Sequence, residues 1–322
     1  MRTRSLMALC AALFMAPQVW GQAPIVDPAL PTYRPMEIAK GKIQLIGSDT
    51  MAQVAAIWGD GFRRYHQDAQ VDIEVLGSVN AVSSVIEGKA TFGLLSRAVT
   101  EEEAIAFQKK FGYPMTVLTP SLESIAIFVH AENPIESLTL SQLDGIFSKS
   151  LHRGAPQTAR TWSDVGIGGN WAKAPIVCRT RSATTGSQVF MRNTVLGGGE
   201  FRDDVISENN NLALVKAVAG DPRSIGFAGA IYQIPGVKPV AISWKEGEPA
   251  LTVDTPGYPL VRPLQLVVNH KPGTELPTLQ REFLKYLFSQ QGQEAVVVGG
   301  FQPISARPAQ IALDAVGLTT FN

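Results

Sequence analysis

The chain contains 322 residues with 28 basic and 28 acidic side chains, so its formal net charge is zero, and 45% of its residues are hydrophobic. A charge balance this close to neutrality argues against a nucleic-acid partner, and the hydrophobic content is typical of a globular protein. The length exceeds what a single hydrophobic core usually carries, and we therefore expect two domains.

Residues 1–23 have the pattern of a secretory signal peptide. A basic start precedes the apolar run Leu6–Val19, which is too short to span a bilayer and is followed by small residues suited to cleavage. We therefore predict that the chain is exported and that the mature protein is soluble. Removal of the leader would leave 26 basic and 28 acidic residues, with Cys178 as the single cysteine. We expect Cys178 to be a small buried apolar side chain rather than a reactive thiol.

The mature chain begins with a Pro-rich lead-in, residues 24–41, and then alternates strands with helices. A predicted strand at 42–46 runs into the polar turn 47–50 and from there into an amphipathic helix at 51–65. Asp49 is the predicted N-cap of this helix.

The same succession of strand, turn and helix follows twice more. A strand at 71–76 precedes a helix at 81–87, and a strand at 90–95 precedes a predicted capping box at 100–103. This alternation predicts a mainly parallel sheet, in which ligands bind outside the carboxyl ends of the strands. We therefore expect the polar side chains after the three strands to converge, namely Ser48, Asp49, Thr50, Ser78, Ser96 and Arg97.

The rest of the chain continues the α/β pattern. Predicted strands lie at 125–130, 175–178, 224–228 and 265–268, and predicted helices lie at 138–147, 188–196, 209–219 and 276–290. Residues 305–322 show only weak periodicity and are predicted to form a C-terminal extension. The Gly-rich stretch 161–169 lacks the spacing and the lysine of nucleotide-binding loops, so we expect no nucleotide cofactor.

The segment Arg181–Ser187 joins a predicted strand to a helix and carries one guanidinium, four hydroxyls and a glycine. Free backbone N–H groups at a helix start attract anions, and Ser and Thr hydroxyls add further donors. Gly186 lets the backbone approach a ligand closely, and Arg181 can bind two oxygens at once. These features favour a site for a small tetrahedral oxyanion, although an ordinary capped helix would carry the same Ser and Thr residues.

Taken together, these segments resemble the phosphate-binding proteins of high-affinity phosphate ABC transporters. The likeness covers roughly residues 42–306, in the family's order. The matching segments are G-S-D-T-M (47–51), G-S-V-N-A (77–81), E-G-K-A-T-F-G-L-L-S-R (87–97), E-N-P-I (132–135), L-T-L-S-Q-L-D-G-I-F (138–147), R-S-A-T-T-G-S (181–187), S-I-G-F-A-G (224–229), Y-P-L-V-R-P-L (258–264) and S-Q-Q-G-Q-E (289–294).

The resemblance implies a type II periplasmic binding protein fold, an α/β fold in which two lobes are joined by two crossing strands. Lobe I would combine residues 42–118 with 266–306, lobe II would be residues 119–265, and residues 307–322 would form a tail. The crossing strands would lie near 118–127 and 259–268.

In function, the resemblance implies a periplasmic solute-binding protein, not an enzyme. Such a protein captures inorganic phosphate between its lobes by a hinge motion and delivers it to the subunits of a membrane ABC permease. We expect a monomer that binds no cofactor, metal or nucleic acid.

Carried over position by position, the resemblance places the phosphate contacts on Ser48, Thr50, Ser78, Ser96, Arg97, Arg181, Thr185, Gly186 and Ser187. Where the family usually has Ser-Gly-Thr, this chain has Thr185-Gly186-Ser187, which keeps both hydroxyls. Where several members have an Asp that accepts the phosphate proton, this chain has Ser96. We expect Asp49 to supply the missing carboxylate, which would accept a proton from phosphate and repel sulfate.

Other functions fit parts of the same pattern. A hydrolase would need a nucleophile with a base or a metal pair, and the four histidines show no such motif or spacing. A binder of sulfate, tungstate or molybdate would need no proton acceptor. A phosphate sensor or scavenger that serves no transporter would have the same binding residues.

Overall fold

A computed structural model describes residues 25–37 and 40–318. The predicted signal peptide, with Cys10, lies outside the described residues. Within the described ranges, no helix has the length and apolar character needed to cross a bilayer.

Strands and helices alternate along most of the chain. The strands are β1 Gly41–Gly47, β2 Ala69–Val75, β3 Phe92–Leu95, β4 Thr116–His130, β5 Ser137–Thr139, β6 Val177–Arg181, β7 Ile206–Glu208, β8 Ser224–Gly229, β9 Val237–Pro239, β10 Ala241–Ser243, β11 Val261–Val268 and β12 Gln302–Pro303. The α-helices are α1 Ala52–Arg63, α2 Ala81–Ile86, α3 Glu101–Phe111, α4 Leu140–Phe147, α5 Gly186–Thr194, α6 Asn211–Ala219, α7 Thr278–Leu287, α8 Gln290–Val298 and α9 Ala306–Asp314. Short 3₁₀ turns lie at Ser78–Asn80, Trp162–Val165, Gly169–Trp171 and Ala230–Tyr232.

One mixed sheet runs through the molecule in the order β2-β1-β3-β11-β4-β8-β6-β7. Strand β1 is parallel to β2 and β3, and β6 is parallel to β7 and β8. Strands β11 and β4 are antiparallel to each other and to their outer neighbours. The sheet therefore consists of two parallel groups joined through an antiparallel centre, and the α/β class predicted for the chain is confirmed.

Strand β4 is the longest strand and belongs to both groups. Its first part pairs with β11 as far as Ser124, and its second part, from Ile125, pairs with β8. The sequence pattern predicted only the second part, because Ser121, Glu123 and Ser124 interrupt the apolar run. These polar side chains are nevertheless buried, so the strand extends through them.

Buried apolar side chains separate into two regions along the chain. The first, which we call the terminal core, uses residues up to Leu118 and from Leu264 onward. The second, which we call the central core, uses residues between Ile125 and Val261. Each half of the sheet therefore has its own hydrophobic core, and among the described strands only β4 and β11 contribute side chains to both.

Both ends of the described chain pack on the terminal core. In the lead-in, Leu30 and Tyr33 are buried, and the Tyr33 hydroxyl lies 2.6 Å from His66 Nε2 and donates to Glu282 at 2.8 Å. At the other end, α9 buries Ala309 and Leu313 in the same core. The C-terminal extension of weak periodicity predicted at 305–322 is wrong for residues 306–314, which form this short amphipathic helix of nine residues.

The helix predicted at 276–290 corresponds to α7 but ends earlier, at Leu287, and a second helix, α8, begins at Gln290. The Ser289 hydroxyl accepts from the Gly292 amide at 3.2 Å and donates to the Tyr286 carbonyl at 2.7 Å, so it ends α7 and starts α8. No glycine or proline lies between Thr278 and Gln291, so the sequence does not mark this break. Gly292 permits the sharp junction, because a Cβ there would lie 2.1 Å from the Tyr286 carbonyl oxygen.

Cys178 lies on β6 in the central core and is buried, as predicted. Its thiol donates to the Ile146 carbonyl at 3.3 Å, and burial raises the pKa of Cys178 to about 12. Thiolate, the reactive form, is therefore scarce at neutral pH.

We predict that Ellman's reagent will not label Cys178 in folded protein at pH 8. A Cys10→Ser variant removes the other cysteine, so that one thiol is counted. The expected result is no rapid release of the chromophore until denaturant is added, followed by one equivalent. Full labelling of folded protein within seconds would contradict the burial seen here.

Candidate functional site

Three serine hydroxyls meet where the strands β1, β2 and β3 end. Ser48 Oγ donates to Ser96 Oγ at 2.9 Å, and Ser78 Oγ lies 3.2 Å from Ser96 Oγ. All three side chains are buried, and the Ser96 amide also donates to Ser78 Oγ. The predicted convergence of these three turns is confirmed.

Gly47 makes this convergence possible. Its φ of +141° is unfavourable for residues with a side chain, and a Cβ there would lie 2.3 Å from the Leu94 carbonyl oxygen. The Gly47 carbonyl accepts from the amides of Leu76 and Gly77, while the Ser48 amide donates to Leu94. The three strand ends are thus hydrogen-bonded directly to one another.

Asp49 does not cap α1, and that prediction is wrong. The helix begins after Met51, which has helical backbone angles and forms no side-chain cap bond. The Asp49 carboxylate instead accepts from Arg181 Nη2 at 3.0 Å. A guanidinium is a stronger donor than a backbone amide, and Arg181 is close enough to compete for the carboxylate.

The loop before α5 faces these serines from the other side of the site. Thr185 is the N-cap of α5, and its hydroxyl donates to the Ser182 carbonyl at 2.8 Å. Gly186 and Ser187 open the helix and are buried. A Cβ on Gly186 would lie 2.1 Å from Ser96 Oγ and 2.8 Å from the Ser96 carbonyl, so the two turns touch at this glycine.

Arg181 joins the two sides of the site. Its Nη1 donates to Asn211 Oδ1 at 2.6 Å, and its Nη2 donates to Asp49 and to the Asn209 carbonyl. The side chain is buried, and its Nε has no hydrogen-bond partner among the described residues. An unpartnered buried donor of a charged group is costly, and an anion at the site would satisfy it.

Arg97 points away from the hydroxyl cluster. Its Nη1 and Nη2 bind the two oxygens of Glu103, at 2.8 Å and 2.6 Å. Glu103 also completes the predicted capping box of α3 with Thr100, which is confirmed. Arg97 Nη1 also donates to the Ala98 carbonyl at 2.9 Å, and Arg97 Nη2 donates to the Ser78 carbonyl at 3.2 Å and so supports the Ser78 turn.

Arg262 lies at the centre of the site, and sequence reasoning missed it. The side chain is fully buried, and Glu123 Oε2 lies 2.8 Å from its Nε and 2.6 Å from its Nη2. Its Nη1 donates to the Ser96 carbonyl at 2.7 Å. Its Nη2 donates to Thr50 Oγ1 at 3.3 Å and to Ser187 Oγ at 3.2 Å.

One signal could have revealed this pair. Arg262 and Glu123 are opposite charges, and each is the one charged residue in its predicted crossing strand. The two residues are direct partners in the antiparallel register of β4 and β11. A charged residue in a strand that must be buried needs an opposite charge nearby, and the other strand supplies it.

The charges at the site balance closely. Two guanidiniums, of Arg181 and Arg262, accompany two carboxylates, of Asp49 and Glu123. Burial raises the pKa of Glu123, although Arg262 opposes the shift, and one Glu123 oxygen has no hydrogen-bond partner among the described residues. With hydroxyls and helix starts from both sides converging here, the site can hold a small anion. Residues 25–37 and 40–318 contain no group of three or more His, Cys, Asp or Glu that could hold a metal ion.

We predict that Gly186→Ala will separate the two sides of the site, because its methyl group would overlap Ser96. Small-angle scattering should give a larger radius of gyration than for the wild type. The unfolding midpoint should change little, because separation of the loops relieves the overlap. Gly168→Ala is the matched control, since a Cβ there meets open space. Equal radii of gyration for Gly186→Ala and the wild type would contradict the tight contact.

Known protein families and solved structures share the sequence pattern and the architecture of this chain. The pattern of the PBP superfamily domain matches residues 35–291. The phosphate-binding protein PstS of Pseudomonas aeruginosa is 34% identical over 99% of this chain and 100% of its own length. The protein of the same name from Bacillus subtilis is 23% identical, over 84% of this chain and 83% of its own length.

Solved structures show the same fold. An ABC-type phosphate transport receptor from Vibrio cholerae superposes with a TM-score of 0.65 at 21% identity, over 81% of this chain and all of its own. A putative phosphate ABC transporter substrate-binding protein from Clostridium perfringens was solved with bound phosphate. It superposes with a TM-score of 0.65 at 21% identity, over 82% of this chain and all of its own. The chain therefore belongs to the PBP superfamily and, within it, to the family of the phosphate-binding protein PstS.

Proposed function

We propose that this protein binds inorganic phosphate between two lobes and delivers it to the membrane subunits of an ABC transporter. The observation that carries the proposal is that donors from separate turns of both halves of the sheet meet at one buried point. There Gly186 touches Ser96, and Arg262 reaches both Thr50 and Ser187. The relatives named for phosphate binding and phosphate transport support the choice of anion.

The two lobes would correspond to the two cores. Lobe I, residues 42–118 with 266–306, would be built on the terminal core, and lobe II, residues 119–265, on the central core. Support comes from the separation of the apolar clusters, which meet only where β4 and β11 cross. The lead-in and the tail would both belong with lobe I, because both pack on the terminal core.

Direct contacts to phosphate would come from residues on both lobes. These are Ser48, Asp49, Thr50, Ser78 and Ser96 on lobe I, and Arg181, Gly186 and Ser187 on lobe II. Arg97 and Thr185 would not contact phosphate directly, because their side chains are hydrogen-bonded to Glu103 and to the Ser182 carbonyl. Arg97 would hold the Ser78 turn, and Thr185 would start α5.

Energetic considerations favour tight binding at such a site. Burying an anion costs several kcal/mol even after relaxation. Each hydrogen bond to a charged acceptor returns about 1.5–3 kcal/mol, and each helix start adds about 0.3–1 kcal/mol. The donors assembled here therefore exceed the desolvation cost and support an affinity of about micromolar or tighter.

Transport rather than catalysis fits the chemistry of the site. The hydroxyls, guanidiniums and helix starts stabilise an anion without offering a nucleophile paired with a base. The relatives are likewise named for binding and transport. We infer a periplasmic, monomeric protein whose leader directs export, and whose lobes present the loaded state to the permease.

Arg181→Ala should weaken phosphate binding at least tenfold, because it removes a charged donor and the link between Asp49 and Asn211. Isothermal titration calorimetry with phosphate measures the loss. Arg179→Ala is the matched control. It removes a second guanidinium from the same strand, one that is partly buried and pairs with Glu208 and Ser224. A loss below tenfold for Arg181→Ala, or an equal loss in the control, would assign Arg181 a structural role only.

Selectivity gives a separate test of Asp49. Phosphate at neutral pH carries a proton that a carboxylate can accept, whereas sulfate does not, so Asp49→Asn should narrow the ratio of phosphate to sulfate affinity. Competition calorimetry with both anions measures the ratio. Asp60→Asn, an exposed substitution on α1, serves as the control. An unchanged ratio in Asp49→Asn would remove Asp49 from this role and favour a general oxyanion binder, consistent with Ser96 at the family's Asp position.

A further inference from the structure

We propose that Arg262, anchored by Glu123, orients the Thr50 and Ser187 hydroxyls toward the anion and thereby makes anion binding depend on closure of the two lobes. This inference rests on the proposed function and identifies the residue that links binding to closure. Arg262 acts here as a positioning residue.

The direction of the hydrogen bonds carries the first step. A guanidinium can only donate, and one hydrogen of Arg262 Nη2 goes to Glu123 Oε2 at 2.6 Å. Thr50 Oγ1 and Ser187 Oγ must therefore share the other hydrogen through their lone pairs. The hydrogen of each hydroxyl must then point away from the guanidinium. Both hydroxyls are therefore held as donors toward the remaining space of the site, where an anion oxygen would accept them.

The lengths of the bonds carry the second step. Arg262 is held firmly by short bonds to Glu123 at 2.8 Å and to the Ser96 carbonyl at 2.7 Å. Its bonds to the two hydroxyls are longer, at 3.3 Å and 3.2 Å, and hydrogen bonds weaken with distance. The guanidinium is thus fixed in place, while its contacts to the hydroxyls can shorten or break as the lobes move.

The position of Arg262 carries the third step. Strand β11 crosses between the two cores, and Arg262 lies on it opposite Glu123 of β4, the other crossing strand. Thr50 belongs to the turn before α1, and Ser187 belongs to the first turn of α5, on the other half of the sheet. One nitrogen, Nη2, can orient both hydroxyls only when the two halves are together.

The experiment is a double-mutant cycle on phosphate affinity. Thr50→Val removes the hydroxyl at nearly constant volume, and Arg262→Lys keeps the charge but loses the planar fork. Phosphate binding is measured by calorimetry for the wild type, both single variants and the double variant. Each single variant should bind phosphate at least about tenfold more weakly than the wild type. The loss of affinity in the double variant should be at least about fivefold smaller than the product of the two single losses.

Two further variants separate positioning from folding. Glu123→Gln with Arg262→Gln removes both buried charges together, so neither is left unpaired. It should fold, lose phosphate binding by about a hundredfold, and show no decrease in radius of gyration when phosphate is added. Arg202→Lys is the matched control. Its side chain is also a buried arginine paired with an aspartate, but it lies away from the site and should leave phosphate affinity unchanged.

The outcomes distinguish this inference from the function on which it rests. Additive losses in the cycle, or full affinity in a folded Glu123→Gln/Arg262→Gln protein, would overturn the role of Arg262 while wild-type phosphate binding stands. A wild-type protein that binds no phosphate would overturn the proposed function and this inference together. Non-additive losses with an unaffected Arg202→Lys control would support both.

Discussion

The buried ion pair between Arg262 and Glu123 is the constraint around which the rest of the structure is arranged. A guanidinium without access to water requires acceptors on every side, and leaving a charge unpaired would cost several kcal/mol. The acceptors are the Glu123 carboxylate on β4 and the Ser96 carbonyl after β3. The hydroxyls of Thr50 and Ser187, on two separate turns, complete the set. The hydrophobic side chains pack in two separate regions, one on each side of this polar centre.

This division would let one continuous sheet serve the two moving lobes of the proposed function. Among the described strands, only β4 and β11 have side chains in both cores. The contacts between the two halves at the site are hydrogen bonds, the ion pair of Arg181 with Asp49, and the contact of Gly186 with Ser96. Such contacts break and reform at little cost compared with a shared apolar interface. The crossing strands can bend while each core keeps its own packing, which is the arrangement a hinge requires.

Sequence patterns predicted what depends on local interactions. The capping box of α3 and the turns after β1, β2 and β3 lie within a few residues of the elements they define, and the structure has them. Two side-chain pairings between residues distant in sequence were missed. Arg262 and Glu123 lie 139 residues apart, and the Asp49 partner lies 132 residues away, so neighbouring residues do not reveal either pairing. The boundary between α7 and α8 was missed for another reason. The break there depends on the hydrogen bonds of a single serine, Ser289, and no proline or glycine precedes it in α7 to mark it.

The packing of both chain ends on the terminal core has a consequence for the order in which the molecule can assemble. The central core draws on one continuous stretch, so it can complete once that stretch has been synthesised or exported. The terminal core instead needs Leu30 and Tyr33 from near the start together with α9 from the end. Bringing such distant segments together is entropically slow. The proposed anion site draws on turns from both halves of the sheet, so it is complete only when both cores have formed.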